Sequence, residues 1–376
     1  MNIVYPEGRS TASGSRHTLA VACIGQLMVV IDGLIVTIAL PDIRSDMELS
    51  AATQGWVVNA YLLAFGALLL VASRAADRLG HRKVFTAGVV VFTLASLCGG
   101  LAPGAGMLVA ARVAQGIGAA AIAPTSLSLL TTTFTGDARS RALSAWSATS
   151  AVAGAGGLVV GGVITAELGW RWVFLANVPL GVAVFALTAA LPAVAGTVEA
   201  PPSTPYPWRM VLRRSIVVAN VSMAVLGAAM TAALYCLSLF LQNVQGRNPL
   251  QTGSALLPMS AVLALGAVTS PRLLARWGTT AVTTTGTIVA AAGAAALTMS
   301  MAFDHGPAVL IGATLVWACG AGVLTMPIVS RATADVPPAA AGLASGTVSV
   351  ARQIGGVLGV AAIAALGVAP AAGIVH

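Results

Sequence analysis

Apolar runs long enough to cross a bilayer recur from one end of this sequence to the other, and that recurrence limits what the chain can fold into. Eleven runs are read: 18–40, 54–73, 84–102, 106–131, 140–165, 172–192, 215–241, 252–274, 279–303, 307–328 and 340–368. Each is close to the ~20 residues that a helix needs to span a hydrocarbon core of about 30 Å. Backbone N–H and C=O groups find no water in that core, so each run must satisfy them internally. Helices do this, and the alternating pattern of a membrane barrel is absent. The first run is expected to remain in the protein. It is too long for the apolar region of a cleaved leader, contains Asp32 and is followed by ten more runs.

Composition agrees. Of 376 residues, 57% are hydrophobic and 8% are charged, against about 25% charged in a typical soluble domain. This excludes a soluble enzyme, a disordered chain and a nucleic-acid-binding domain. The net charge of +8 would point to nucleic acid in a soluble chain; here its distribution points to membrane topology. With the N-terminus in the cytoplasm, the inner segments hold fourteen cations: Arg9, Arg16, Arg74, Arg78, Arg82, Lys83, Arg139, Arg141, Arg209, Arg213, Arg214, Arg272, Arg276 and Arg331. The outer loops hold Arg44, Arg171 and Arg247, and Arg112 and Arg352 fall inside runs. That bias orients the N-terminus inward. One Lys among 19 cations, in an alanine-rich chain, points to a GC-rich bacterial source and hence the plasma (inner) membrane. The lipid bilayer is the expected partner, and the sequence leaves the oligomeric state open, with a monomer as the first expectation.

Residues 193–214 form the one long polar break, with four prolines and a basic end. They read as a cytoplasmic linker between a six-span bundle, 1–192, and a second bundle, 215–376. A shift of 198 residues supports two related halves. It places Gly55 on Gly253, Arg78 on Arg276, Gly80 on Gly278, Gly88 on Gly286, Asp137 on Asp335, Gly157 on Gly355 and Gly161 on Gly359. An even number of spans per repeat preserves orientation, so the halves are parallel repeats. The same shift carries His376 onto Val178, near the start of span 6. The expectation is therefore six plus five spans, with a twelfth either lost or lying beyond the given sequence.

The segment between spans 2 and 3 reads SRAADRLGHRK, Ser73 to Lys83. It resembles the loop signature of the major facilitator superfamily through Asp77, Arg78, Gly80, Arg82 and Lys83; Ser73 replaces a glycine. The resemblance implies a cytoplasmic gate, with Asp77 at the positive N-terminal end of span 11. The alternative is that the cations are inside anchors only. The second-half counterpart keeps Arg276 and Gly278 but has Ala275 in place of the acid, so the gate is expected to be asymmetric.

Further segments resemble the proton-coupled multidrug efflux branch of that superfamily, whose best-known members have fourteen spans. Span 1 ends IDGLIVTIALPDI, with Asp32 the one acid placed inside a span; span 4 contains LVAARVAQGIGAA, with Arg112, Gln115, Gly116 and Gly118. Burying a charge in a membrane is costly, so a carboxyl that takes up and releases a proton there suits energy coupling. Asp32 and Arg112 fall at similar depth, which permits communication between them. Structural alternatives are a cavity-facing Asp32 and a snorkelling Arg112. Span 5 reads AVAGAGGLVVGGVI and resembles the antiporter glycine motif through Gly157, Gly161 and Gly162, with Leu158 where proline is usual. Small residues at that spacing also serve ordinary close helix packing. WRWVFLANVP, 170–179, resembles the entry to span 6, and FLQNVQGRNPLQTGSALLP, 240–258, the stretch after the two extra central spans of longer members. Span 11 carries Ser345, Ser349 and Arg352 on one face.

The resemblance implies an all-α polytopic protein of the major-facilitator fold, with two pseudo-symmetric bundles around a central cavity. Its implied function is proton-coupled efflux of a small, largely apolar drug or secondary metabolite by alternating access. Candidate cavity residues are Gln26, Asn59, Tyr61, Gln115, Gln242, Ser349 and Arg352. No cofactor is expected; the proton gradient supplies the energy. The absence of a Gly-Lys-Ser/Thr loop argues against ATP-driven transport. Cys23, Cys98, Cys236 and Cys319 lack paired spacing, and the four His form no metal constellation. The alternatives are a facilitator or symporter of a polar metabolite, for which the polar inventory is sparse, and a degenerate relative that does not transport.

Overall fold

The computed structural model describes residues 12–189, 212–303, 306–334, 336–337 and 341–365. The linker region 193–211 and the tail from 366 lie outside the described residues. The rest is almost entirely helical: α1 (Ala12–Asp46), α2 (Ala51–Leu79), α3 (His81–Gly100), α4 (Ala105–Thr133), α5 (Gly136–Leu168), α6 (Arg171–Leu175), α7 (Asn177–Ala189), α8 (Arg214–Leu239), α9 (Pro249–Phe303), α10 (Pro307–Ala334) and α11 (Ala341–Ala365). Ten helical stretches among the described residues are long and apolar enough to cross a membrane, with α6 and α7 together forming one. This is a multi-pass membrane protein.

The ten differ from the eleven sequence runs at one place. α9 is 55 residues long, and Gly278 within it is non-helical, with φ 77° and ψ 164°. At 1.5 Å per residue an unbroken helix of that length would be about 80 Å long, far beyond the bilayer. Gly278 supplies the corner between the two runs. Its repeat mate Gly80 does the same between α2 and α3, with φ 96°. These are left-handed backbone values that favour glycine.

Span 6 is interrupted where the sequence showed one apolar run. α6 ends at Leu175 and α7 starts at Asn177. Pro179 has no N–H for the carbonyl of Leu175, four residues earlier, so continuous helical bonding fails there.

Repeat-related glycines make repeat-related contacts. Gly157 and Gly161 of α5 pack on Ile31 and Ile35 of α1, while Gly355 and Gly359 of α11 pack on Ala224 and Ala228 of α8. Gly55 of α2 meets Val360 of α11, and Gly253 of α9 meets Leu158 of α5. The first family of contacts closes each half. The second joins the halves, through α2 with α11 and α5 with α9.

The contacts of α5 with α9 and of α1 with α8 lie toward the end that carries the α1–α2 turn, whereas those of α2 with α11 run on past it, Gly66 meeting Gln353 and Gly346 meeting Leu70. Gly162 lies so close to Pro249 that an added Cβ would sit 2.5 Å from its carbonyl oxygen. Ser238 Oγ donates to the Thr37 carbonyl at 3.0 Å, and Gln242 Nε2 to the Ile38 carbonyl at 3.0 Å. Leu158, standing at the motif's proline position, is buried in a cluster with Ile38, Leu256 and Met259.

Candidate functional site

Asp32 of α1 and Arg112 of α4 meet inside the first half. Arg112 Nη1 donates to Asp32 Oδ2 at 2.6 Å; the Arg112 side chain is 1% and the Asp32 side chain 0% exposed. Arg112 Nε donates to the Val57 carbonyl of α2 at 3.0 Å, and Nη1 also donates to Gln115 Oε1 at 2.8 Å. The Gln115 amide then bridges the pair, since its Nε2 donates to Asp32 Oδ1 at 2.9 Å and to Ser96 Oγ of α3 at 2.9 Å. Asn177 Nδ2 of α7 donates to the same Oδ1 at 3.1 Å. The guanidinium lies over the Tyr61 ring, 4.3 Å from its centroid, with the Phe174 ring at 6.0 Å.

Local structure explains this convergence. Arg112 and Gln115 are three apart on a helix and so share a face. Asn177, the first residue of α7, reaches Asp32 from the start of that helix. The Tyr61 hydroxyl donates to the Val29 carbonyl at 3.3 Å, which holds its ring beneath Arg112.

Asp32 therefore has three donors on its two oxygens, and each donor comes from a different residue. Every hydrogen-bond direction suits an ionised carboxylate facing a guanidinium. Two charges this deep are costly to desolvate, and losing either partner leaves the other stranded. Protonating Asp32 would remove the charge that Arg112 faces.

The sequence placed Asp32 and Arg112 at similar depth; the structure puts them in direct contact and adds Asn177 and Ser96, which sequence reasoning missed. Asn177 lies within WRWVFLANVP, but the sequence does not show that its side chain faces Asp32. Neutral hydroxyls such as Ser96 are common in spans and carry no distinguishing signal.

Several cavity candidates have a different place. Gln115 is fully buried and both ends of its amide are used by the ion pair. Tyr61 is buried beneath Arg112. Gln242 bonds to Ile38 and, at 3.1 Å, to Ser238 Oγ, across the seam between halves. Gln26 is half-buried and Asn59 buried, and the side-chain carbonyl oxygens of both lack a hydrogen-bond partner. Ser349 and Arg352 are exposed, and Ser349 Oγ bonds only its own helix, at the Ser345 carbonyl, 3.1 Å.

The gate residues also diverge. Asp77 is 56% exposed and its ionic contact is His81 Nε2 at 4.0 Å; the residues just before α11, 338–340, lie outside the described region. Arg82 does not pair with Asp77. Its Nη2 donates to the carbonyls of Thr188 at 2.8 Å and Ala189 at 3.2 Å, at the end of α7. A cation on the last carbonyls of a helix satisfies orphan acceptors and complements the helix dipole. Gly157, Gly161 and Gly162 all lie at helix contacts: the first two against α1, the third against α9.

Comparison with known proteins agrees with this arrangement. The sequence profile of the Major Facilitator Superfamily matches residues 22–360. The cephamycin export protein CmcT of Amycolatopsis lactamdurans is 33% identical, with 95% of this chain and 86% of that protein aligned. The puromycin resistance protein pur8 of Streptomyces alboniger is also 33% identical, over 91% of this chain and 80% of its own length. Among solved structures, a D-xylose-proton symporter superposes with a TM-score of 0.75 at 13% identity, covering 91% of this chain and 88% of the other. A bacterial homologue of the human lysosomal transporter Spinster, in an inward-facing occupied conformation, gives 0.73 at 19% identity, covering 96% and 83%. The first pair establishes kinship and the second the fold, so a chain matched along nearly its whole length, with this helix arrangement, belongs to the Major Facilitator Superfamily, a family of transporters and not of enzymes.

Proposed function

We propose that this protein exports a small, largely apolar compound across the bacterial plasma membrane in exchange for protons, by alternating access of two bundles, residues 1–192 and 215–376. The single observation that carries the proton half of this reading is the buried Asp32–Arg112 pair. It is a charge pair that closes when Asp32 is ionised and must open when Asp32 takes a proton. Each state of the carboxyl thereby favours a different arrangement of α1 against α4 and α7. The export half is supported by relatives named for cephamycin export, puromycin resistance, and tetracenomycin C resistance and export.

The positive-inside bias assigns the N-terminus, the α2–α3 corner and residues 193–214 to the cytoplasm. The contacts of α5 with α9 and of α1 with α8 then lie on the outer side, which favours reading the cleft between the halves as opening inward. From this state a compound enters from the cytoplasm or inner leaflet. After the halves rock, a proton from outside neutralises Asp32, the pair loosens and the substrate leaves. Return of the proton inward gains roughly 2.3 kcal/mol per charge per 100 mV.

Everted vesicles test this directly. A fluorescent apolar dye should accumulate only while a proton gradient is present, and collapse of the gradient by an uncoupler should release it. Accumulation unaffected by the uncoupler would contradict proton coupling.

A further inference from the structure

Arg352 stands at the midpoint of α11, the twelfth of its 25 residues. Ser345, Ser349, Arg352 and Gly356 follow at spacings of four, three and four, so they share one face. Gly356 fixes where that face points. A Cβ added there would lie 3.1 Å from Leu62 Cδ1 of α2 and 2.8 Å from Thr231 Oγ1 of α8. The stripe therefore faces the seam where the first half meets the second.

Arg352 is exposed, while its own backbone packs against Gly227 of α8 and the next turn of its face, Gly356, is buried between α2 and α8. An exposed side chain on a face that turns toward the α2–α8 seam is read as lining the cleft between the halves. No described residue forms an ion pair or hydrogen bond with its guanidinium. The one acid placed inside a span, Asp32, already has both oxygens occupied. This contrasts with Arg112, which has an acid, an amide, a carbonyl and an aromatic face. A guanidinium at mid-membrane depth without a counter-ion is costly. Water lowers that cost, and an incoming anion removes more of it.

We propose that Arg352 is the anion-recognising group of the transport cleft, and that the exported compound is an apolar body carrying one carboxylate-type oxyanion. The planar guanidinium offers two parallel N–H donors to such a group, which a single ammonium does not. This rests on the reading of the cleft as the substrate route and narrows the substrate class within it.

A headgroup series on one apolar body tests the proposal with the purified full-length protein: 1-pyrenebutyrate, its neutral amide and 1-pyrenebutylamine, followed by pyrene fluorescence. Wild type should bind the acid at least about ten-fold more tightly than the amide, and the amine more weakly than the amide. Arg352→Gln should reduce the acid-to-amide ratio below two-fold. Arg352→Lys should fall between, because the charge persists without the fork. The wild-type series keeps the proposal falsifiable even if a variant does not fold. Failure of the acid to bind, equal affinity for acid and amide, or a preference that survives Arg352→Gln would overturn it. Binding requires no gradient, so acid preference without gradient-driven export would remove the proton-coupling reading and leave this one standing.

Discussion

Asp32 and Arg112 are eighty residues apart in the chain and 2.6 Å apart in the fold. Their pairing has an energetic consequence that separates it from a surface ion pair. Arg112→Ala leaves a buried carboxylate with only amide donors, and breaking a buried pair in this way costs roughly 3–5 kcal/mol. The thermal unfolding midpoint of detergent-purified Arg112→Ala should fall sharply. Adding Asp32→Asn should recover most of the loss, because the stranded charge is then gone. An Arg112→Ala protein as stable as wild type would contradict the burial described. At this scale the charged members of the site were legible, because charge is rare inside apolar runs and each instance demands a reason. Asn177 and Ser96 were not. Their part in the site depends on which way neutral side chains point, and packing decides that.

Single glycines set where elements end. Gly80 and Gly278 occupy the same place in the two repeats and share a left-handed backbone. An L side chain there costs about 1–2 kcal/mol, so Gly278→Ala should lower the unfolding midpoint. Gly154→Ala in α5 is the control: Gly154 is helical and has no neighbour within 4 Å of an added Cβ. It should be neutral or slightly stabilising, by up to about 1 kcal/mol. Equal destabilisation by both would show that Gly278 is not a strained corner. The 198-residue repeat anticipates this pairing, since it places Gly80 on Gly278. Hydropathy alone did not reveal the break within span 6 or the bonding of Arg82 to the end of α7. The first is set by the proline's missing N–H, the second by helix ends that meet only in the folded chain.

At the scale of the whole molecule, orientation and movement remain linked. The charge bias predicts that residues 74–83 and 193–214 face the cytoplasm, and that Arg247 faces outside. With the four natural cysteines replaced, Leu79→Cys and Ser203→Cys should resist a membrane-impermeant thiol reagent in intact cells, while Arg247→Cys should react. Labelling of either inner position from outside would reverse the map and with it the sense of the cleft. The all-helical, many-span architecture was legible from the recurrence of apolar runs. Where the halves touch was not, because that depends on contacts such as Gly162 with Pro249 and Gln242 with Ile38, made between segments far apart in sequence.

The central claim is that Asp32 carries the coupling proton. Reconstituted Asp32→Asn and wild-type proteins, compared per folded molecule in vesicles with an imposed proton gradient, test it most directly. The account predicts that wild type drives substrate uphill, and that Asp32→Asn does not, while still exchanging substrate down its own gradient. The amide keeps the shape and much of the polarity of a protonated acid but cannot release the proton. Uphill transport by folded Asp32→Asn at the wild-type rate would contradict the account and leave Asp32 a structural anchor for Arg112.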